Sequence, residues 1–366
     1  MHVILAAGGT GGHLFPALAL GQAFESARHR VSYVGSGRPL DRHVEQLSGL
    51  TWKHIRAARL KGMGLLSKLK SLLMVPRALL QALIILIQEK PDLVLGLGGY
   101  STGPLVLAAR VVGIYTAILE QNRIPGFTNR ILVWFATRVF VALPLVPGPA
   151  NGGHWRLGRF RKKAIVTGNP IRQEVIQQFQ QTHHEEDRFT LLVFGGSQGA
   201  HFLNEAIVQL LPQLHQRHDV LSIIHITGAD DYEVIKAAYA PFPELETEII
   251  PFSDDMGGLY KRADLVLSRS GASTVSDLTY FGRAAVLVPY PYAADLHQHA
   301  NAQLLADAGA AVLIDQAQFD IEAFWQNLEL WLRDRGLLQE MGARAQALAP
   351  RESAAERIIS ECEKLV

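Results

Sequence analysis

The feature that most restricts the fold is a short apolar segment ending in a glycine-rich turn, because this combination recurs along the chain. The turns are GGTGGH at residues 8–13, GGYSTG at 98–103, GGSQG at 195–199 and RSGASTVSD at 269–277. A helix that begins in such a turn presents unpaired backbone N–H groups and the positive end of its dipole, which together bind an anion. Taken alone, the last turn equally fits an ordinary helix start capped by Ser270 or Ser273. The recurrence therefore favours a binding role at the ends of the strands.

The alternation of apolar strands with helical segments predicts α/β domains with parallel, doubly wound sheets. The chain has 366 residues, of which 48% are hydrophobic, so it can bury the cores of two folded domains. The turn residues GNP at 168–170 mark the predicted boundary. We therefore predict an N-terminal domain at 1–168, a C-terminal domain at 169–350, and a final helix at 351–366 that can pack back on the N-terminal domain.

Charge is divided unevenly along the chain. Up to residue 168 there are 21 Lys and Arg against 6 Asp and Glu, a net charge of +15, and the remainder carries −14. Basic residues alternate with leucines over 59–77, a pattern typical of a helix lying on an anionic membrane surface. The alternative is that the apolar face packs on the sheet and the lysines are only solvated. Nucleic acid is not predicted as a partner.

Other compositional features indicate a peripheral protein of a reducing compartment. The longest apolar run, at 78–87, is shorter than the roughly 20 residues of a membrane span. Residues 2–6 run directly into the first glycine turn, so we predict no secretory leader. Cys362 is the single cysteine, which excludes a disulfide framework and a cysteine-based zinc site.

Several phosphate-binding schemes do not fit the turns. The chain has no P-loop sequence, and the first turn lacks the third glycine of the dinucleotide fingerprint. The second strand ends at 33–36 without the carboxylate that binds an NAD ribose, so a nicotinamide cofactor is not predicted. There is no Asp-x-Asp sequence and no histidine pair at metal-ligand spacing, so no divalent metal is indicated. Helix N-termini and Arg172 would then neutralise a diphosphate.

In their order along nearly the whole chain, the motifs resemble the MurG family of cell-wall glycosyltransferases, which make lipid II. They are GGTGGH at 8–13, GGY at 98–100, EQN at 120–122, GNPIR at 168–172, GGSQGA at 195–200, residues 268–277, and HQHANA at 297–302. The resemblance implies two Rossmann-like domains whose parallel sheets face across a cleft (GT-B). It also implies inverting transfer of N-acetylglucosamine from UDP-N-acetylglucosamine to the 4-hydroxyl of lipid I, at the cytoplasmic face of the bacterial inner membrane.

The resemblance further implies the residues of the site. The donor is expected to contact Arg172, Ser197, Ser253, Ala272, Ser273, Thr274, Val275, Ser276, Asp277, Gln298 and Asn301, with Thr10, Gly11, Gly12 and Asn122 from the first domain. The acceptor is expected to contact Gly99, Tyr100 and Ser101. Two residues depart from the family pattern, namely Leu119 in place of His and Asp277 in place of Glu. The shorter Asp277 leaves a ribose contact that is weaker or bridged by water.

We interpret His13 as the general base, because a neutral imidazole suits proton abstraction near pH 7. Glu120 is the rival base, and His13 could instead orient its loop or bind the acceptor pyrophosphate. Arg172 and the turn at Ala272 are the candidates for stabilising the charge that grows on the leaving diphosphate. Two alternatives remain at the level of function: a UDP-sugar 2-epimerase, and a non-catalytic subunit that binds a sugar nucleotide.

Overall fold

The chain forms two compact units. The structure, a computed structural model, describes residues 1–48, 50, 52–55, 65–99, 101–147, 157–183, 187–196 and 199–366, without the side chains of 40, 43, 46–48 and 65–74. Unit 1 comprises Met1–Arg172 together with Pro350–Val366, and unit 2 comprises Gln173–Ala349. The chain therefore leaves unit 1, builds unit 2 and returns to unit 1.

Unit 1 is built on a parallel sheet. Its described strands are β1 (His2–Ala6), β2 (Arg30–Gly35), β3 (Trp52–His54), β4 (Leu93–Gly96), β5 (Tyr115–Glu120), β6 (Arg138–Val141) and β7 (Ala164–Val166). They lie in the order β3-β2-β1-β4-β5-β6-β7. The helices are α1 (Gly11–Ser26), α2 (Pro39–Ser48), α3 (Leu65–Glu89), α4 (Thr102–Val111), α5 (Phe127–Leu132), α6 (Gly158–Lys163) and, from the end of the chain, α15 (Ala354–Glu363).

Both faces of this sheet are buried. Along β1, Val3 and Leu5 belong to one apolar cluster, whereas Ile4 and Ala6 belong to another on the opposite face. This is why the strand reads as a continuous apolar run, as expected for a parallel sheet covered on both sides. The terminal helix α15 adds Ile358, Ile359 and Cys362 to the cluster that contains Leu5.

Unit 2 repeats the architecture. Its described strands are β8 (Phe189–Phe194), β9 (Leu221–Ile226), β10 (Glu246–Ile250), β11 (Leu265–Ser268), β12 (Ala284–Leu287) and β13 (Ala311–Leu313), in the order β10-β9-β8-β11-β12-β13. The helices are α7 (Gln173–Gln181), α8 (His201–His215), α9 (Tyr232–Tyr239), α10 (Met256–Arg262), α11 (Ala272–Phe281), α12 (His297–Asp307), α13 (Ile321–Arg333) and α14 (Gly336–Ala347). The predicted fold class, two α/β domains with parallel sheets, is confirmed.

The prolines and glycines between residues 144 and 153 are typical of a loop and predict one over 144–163. That prediction is wrong at its end, because residues 158–163 form helix α6, whose Phe160 is 1% exposed. A short helix with one buried aromatic residue shows no hydrophobic periodicity. The basic residues around Phe160 further obscure its role as the buried residue of the helix. Separately, none of the helices that the structure describes is long and apolar enough to cross a membrane.

Candidate functional site

In unit 1 the glycine turns after β1 and β4 meet at the point where the strand order reverses. Strand β1 pairs with β2 on one side and with β4 on the other, so the turns that follow β1 and β4 are neighbours. Ligands of open α/β sheets bind at such a point, beyond the carboxyl ends of the strands. Gly99 has φ of +88°, and a Cβ atom there would overlap the carbonyl oxygen of Gly8. Only glycine permits this approach of the two turns.

His13 lies in the first turn of α1, against the turn that follows β4. A Cβ atom on Gly98 would lie 2.7 Å from its Nε2. Its Nδ1 is 3.1 Å from Thr10 Oγ1 and 3.3 Å from the carbonyl oxygen of Gly8. The Gly8 carbonyl oxygen can only accept, so this contact favours a proton on Nδ1, whereas the Thr10 hydroxyl can donate to Nδ1 or accept from it. In the Nδ1–H form the neutral imidazole carries its lone pair on Nε2, the arrangement that a general base requires.

Asp41 binds the backbone of the first glycine turn, a role that the sequence did not predict. Its Oδ1 accepts from the N–H of Gly9 at 2.9 Å. Its Oδ2 accepts from the N–H and the hydroxyl of Ser36, at 2.7 and 2.6 Å. The side chain is completely buried. The one available signal is that Asp41 is the acidic residue in the first turn of α2.

Glu120, the rival base, ends β5 with its carboxylate fully engaged. One oxygen accepts from the backbone and side-chain amides of Asn122, at 2.9 and 3.3 Å. The other accepts from the N–H of Gly126 at 2.9 Å and from Asn129 Nδ2 at 2.8 Å. Burial raises the pKa of this carboxyl, and the four N–H donors oppose the rise. The geometry favours Glu120 as the residue that positions Asn122, and Asn129 is a further partner absent from the sequence prediction.

The remaining predicted site residues of unit 1 differ in their burial and in their contacts. The Ser101 side chain is completely buried, and its hydroxyl donates to the carbonyl of Ala7 at 3.4 Å, which favours a structural role. Thr10, Gly11 and Gly12 form the junction of β1 and α1. The Arg172 guanidinium lies over the Phe15 ring of α1, with 4.9 Å from Cζ to the ring centre. Tyr100 lies outside the described residues.

In unit 2 the corresponding reversal point lies between β8 and β11, where α11 begins. Gly271 is the N-cap residue of α11 and offers no side-chain hydrogen bond to the first turn. The hydroxyl oxygens of Ser273 and Ser276 are buried and have no hydrogen-bond partner in the part of the chain that the structure describes. A helix start of this kind presents backbone N–H groups to an anion. The predicted site residue Val275 faces the core with no exposed surface, so its side chain is unavailable to a ligand.

Asp277, the predicted ribose contact, lies one turn further along α11. Its Oδ2 accepts from the Tyr260 hydroxyl at 3.4 Å. Tyr260 is buried, and burial raises the pKa of its hydroxyl, so it stays protonated and donates. Through this hydrogen bond, Tyr260 of α10 orients the carboxylate of Asp277, whose side chain is one methylene shorter than that of Glu.

The predicted sugar contacts on α12 are tied to the turn that opens α11. Gln298 Oε1 accepts from the N–H of Tyr290 at 2.8 Å, which directs the NH₂ of the same amide toward other partners. Asn301 is completely buried, and its Nδ2 donates to the carbonyl of Ser270 at 3.2 Å. The Ser270 hydroxyl donates to the carbonyl of Gln298 at 2.9 Å. Gln298 is therefore placed to donate to a hydroxyl, whereas Asn301 holds the two loops together.

A buried arginine that the sequence prediction omitted supports the same loops. Arg269 donates to the carbonyls of Val288 and Pro289 at 3.0 and 3.2 Å, and to Gln316 Oε1 at 2.7 Å. Burial lowers the pKa of its guanidinium. By binding the carbonyls after β12, Arg269 fixes the segment that leads to Gln298.

Two predicted donor residues stand apart from this cluster. Ser253 follows β10, the edge strand, and its hydroxyl accepts from the N–H of Asp255 at 3.1 Å. Strand β9 separates it from β8, so a contact at Ser253 needs an extended ligand. Ser197 lies outside the described residues. Within the described ranges, no group of three or more His, Cys, Asp or Glu side chains is arranged to hold a metal ion.

Comparison with known proteins identifies the family. The sequence model of the glycosyltransferase family 28 N-terminal domain matches residues 3–141, and that of the C-terminal domain matches residues 190–358. A relative from Syntrophus aciditrophicus is 39% identical over 368 residues, covering 100% of this chain and 99% of its own. The chain belongs to glycosyltransferase family 28. The relative is named UDP-N-acetylglucosamine–N-acetylmuramyl-(pentapeptide) pyrophosphoryl-undecaprenol N-acetylglucosamine transferase.

Solved structures agree with this family 28 membership. The crystal structure of MurG from Acinetobacter baumannii is 33% identical, covers 99% of both chains and has a TM-score of 0.76. The predicted resemblance to MurG is therefore confirmed. A UDP-GlcNAc 2-epimerase from Neisseria meningitidis, bound to UDP-GlcNAc, is 13% identical over 100% of both chains with a TM-score of 0.66. That likeness shows only that this family 28 protein and the epimerase share a fold.

Proposed function

We propose that the chain is a hexosyltransferase that moves N-acetylglucosamine from UDP-N-acetylglucosamine to the 4-hydroxyl of lipid I, forming lipid II for peptidoglycan. The observation that carries this proposal is 39% identity along the whole chain to a relative named for that transfer. The fold alone is insufficient, because a 2-epimerase shares it at 13% identity. The 2-epimerase alternative is accordingly not favoured.

The donor is proposed to bind through its diphosphate at the start of α11. The uncapped N–H groups there and the Ser273 hydroxyl support this assignment. Asp277 would accept from a ribose hydroxyl, and Gln298 would donate to a hydroxyl of the sugar. UDP-N-acetylglucosamine is a substrate here and not a cofactor. We propose that no metal is required, in which case EDTA leaves the rate unchanged.

The reaction is proposed to be a single displacement with inversion. The 4-oxygen of the acceptor attacks the anomeric carbon, and its proton passes to Nε2 of His13. The bond from the anomeric carbon to the diphosphate breaks, and UDP leaves with the electron pair. General-base catalysis contributes roughly 100- to 10,000-fold. Fixed donors aimed at the growing charge on the leaving group contribute roughly 100- to 1000-fold each, and α11 and Arg172 are proposed for this role.

We also propose that unit 1 binds the cytoplasmic face of the inner membrane as a peripheral protein. The segment first predicted for this contact, 59–77, lies mostly outside the described residues, since 56–64 and the side chains of 65–74 are not described. Support comes from the next turns of α3, where Leu80, Ile84 and Ile87 are 59, 46 and 68% exposed on one face. An exposed apolar face on a half-chain of net charge +15 suits an anionic lipid surface.

A second exposed aromatic site of unit 1 lies just after α5. Trp134 is 59% exposed, and the Arg159 guanidinium lies 3.8 Å from the centre of its ring. An adjacent cavity of about 300 Å³ is lined by basic and aromatic side chains that include Arg110, Tyr115 and Lys163. Tryptophan beside arginine is the combination enriched where a protein meets lipid headgroups. Sedimentation with vesicles containing phosphatidylglycerol tests this proposal, with phosphatidylcholine vesicles as the control.

The transfer itself is tested with UDP-N-acetylglucosamine labelled in the sugar, incubated with and without lipid I. Label that moves into lipid only when lipid I is present supports the proposal. Isomerisation of the labelled sugar without acceptor would instead identify a 2-epimerase. Binding of the nucleotide without turnover under either condition would identify a non-catalytic subunit.

A further inference from the structure

We infer that Asp41 sets the tautomer of His13 through the single peptide unit that joins Gly8 to Gly9. The inference rests on the proposed role of His13 as general base, and it assigns Asp41 as a positioning residue. Nothing about the residue types at 41 and 13 links them in the sequence. Asp41 and His13 are connected because the N–H and the C=O of the same peptide group each form a hydrogen bond, one with Asp41 and one with His13.

The geometry of that peptide carries the argument. The N–H of Gly9 donates to Asp41 Oδ1 at 2.9 Å, and the carbonyl oxygen of Gly8 lies 3.3 Å from His13 Nδ1. These two groups belong to the same amide, and in a trans peptide they point in opposite directions. The carboxylate and the imidazole therefore stand on either side of one rigid plane.

The peptide is held so that it cannot easily rotate. Gly9 has φ of +88°, a conformation that most residues avoid. The second oxygen of Asp41 is fixed by the two donors of Ser36. A Cβ atom on Gly8 would lie 3.1 Å from Asp41 Oδ2, so glycine provides the room for the carboxylate. On the other side, Gly99 packs against the carbonyl of Gly8.

The charge of Asp41 acts on His13 through this amide. A hydrogen bond to an ionised carboxylate is stronger than a neutral one, and hydrogen bonds in series polarise each other. The Gly8 carbonyl thereby becomes a better acceptor, which favours the Nδ1–H form of His13 and stabilises its protonated state. Among the described residues, charged groups on neighbouring elements include Glu120, at the end of β5, and Arg172, whose guanidinium lies over Phe15 of α1.

The test is the substitution Asp41→Asn, which keeps the size of the side chain and removes its charge. The tautomer of His13 is read from the ¹⁵N chemical shifts of its ring nitrogens in specifically labelled protein, without any substrate. We expect the population with hydrogen on Nδ1 to fall and kcat to drop a few-fold, because the carboxylate acts through one hydrogen-bonded amide and not on the ring directly. KM for the donor should change less. The acid limb of the kcat profile should move to lower pH.

Two further variants serve as controls. Asp41→Glu restores the carboxylate and should recover part of the Nδ1–H population. Asp92→Asn is the matched control, because Asp92 also accepts from a backbone N–H, that of His2 at 2.6 Å, but at the other end of β1. It should leave the His13 shifts unchanged.

The outcomes separate this inference from the proposed function. A His13 tautomer unchanged in Asp41→Asn overturns the inference, as does a dominant Nε2–H form in the wild-type protein, which needs no variant. A shifted tautomer with unchanged kcat supports the link from Asp41 to His13 and overturns His13 as the base. A shifted tautomer with reduced kcat supports both.

Discussion

Replacing Glu120 by glutamine distinguishes a catalytic base from a residue that positions its neighbours. Its carboxylate receives four N–H donors, two on each oxygen. Glutamine keeps one oxygen and turns the other into an NH₂ group. Whichever way the amide is oriented, this NH₂ faces two donors and can satisfy neither.

The expected cost follows from those contacts. If the NH₂ faces Asn129 and Gly126, the buried Asn129 amide loses its acceptor, and so does the partly buried N–H of Gly126. An unsatisfied buried donor costs about 1–3 kcal/mol, so Glu120→Gln should lower the free energy of unfolding of unit 1 by about 1–3 kcal/mol. Activity should fall as well, because Asn122 loses its fixed position, and the two losses should appear together.

The assay combines urea unfolding with hydrogen exchange across residues 121–129, which locates the change within unit 1. The double substitution Glu120→Gln, Asn129→Asp lets the new amide donate to a new carboxylate and should recover part of the lost stability. If Glu120→Gln keeps full stability and normal exchange while kcat falls more than about 1000-fold, Glu120 is the base and our reasoning about its carboxylate is wrong.

Three further predictions follow from single contacts. Gly99→Ala should lower the free energy of unfolding by at least about 2 kcal/mol, because the new methyl group would overlap the Gly8 carbonyl at a positive φ. Gly103→Ala is the control, since a Cβ atom there would lie 3.7 Å from its nearest contact, and it should leave the free energy of unfolding unchanged. Urea unfolding of the two variants measures the difference. Burial lowers the pKa of His225 to about 4. As pH falls from 7 to 4.5, the His225 imidazole therefore becomes protonated in the unfolded chain but stays mostly neutral in the folded one. The wild type should then lose about 2 kcal/mol more stability than His225→Gln, and an equal loss in both would contradict this. Ser273→Ala should weaken UDP binding about 10-fold by calorimetry if its hydroxyl meets the diphosphate, and unchanged affinity would remove it from the site.

The sequence predicted those structural features that are encoded within one short segment of the chain. An apolar strand followed by a glycine turn predicts its own position at the carboxyl edge of a sheet, and the turns at 8–13 and 269–277 lie there. The two-domain α/β fold class could likewise be predicted from local motifs. Backbone hydrogen bonding and the twofold period of buried strands act over a few residues, so a linear pattern records them.

What could not be predicted depends on residues far apart in the chain. Asp41 matters because α2 brings it to the N–H of Gly9, and no spacing in the sequence encodes that meeting. Asn301 has the residue type of a sugar contact, yet the fold buries it against the carbonyl of Ser270. Burial and the choice of hydrogen-bond partner are properties of the packed structure, so the sequence did not reveal this contact of Asn301.

The terminal helix has a consequence for how the protein is made. Ile358, Ile359 and Cys362 of α15 complete the apolar cluster on one face of the first sheet. On the ribosome these residues emerge after all of unit 2, although domains usually fold in the order of their synthesis. Until then the nascent N-terminal domain exposes the apolar surface that α15 will cover. Unit 2 is continuous in the chain and is therefore the first domain able to finish folding during translation.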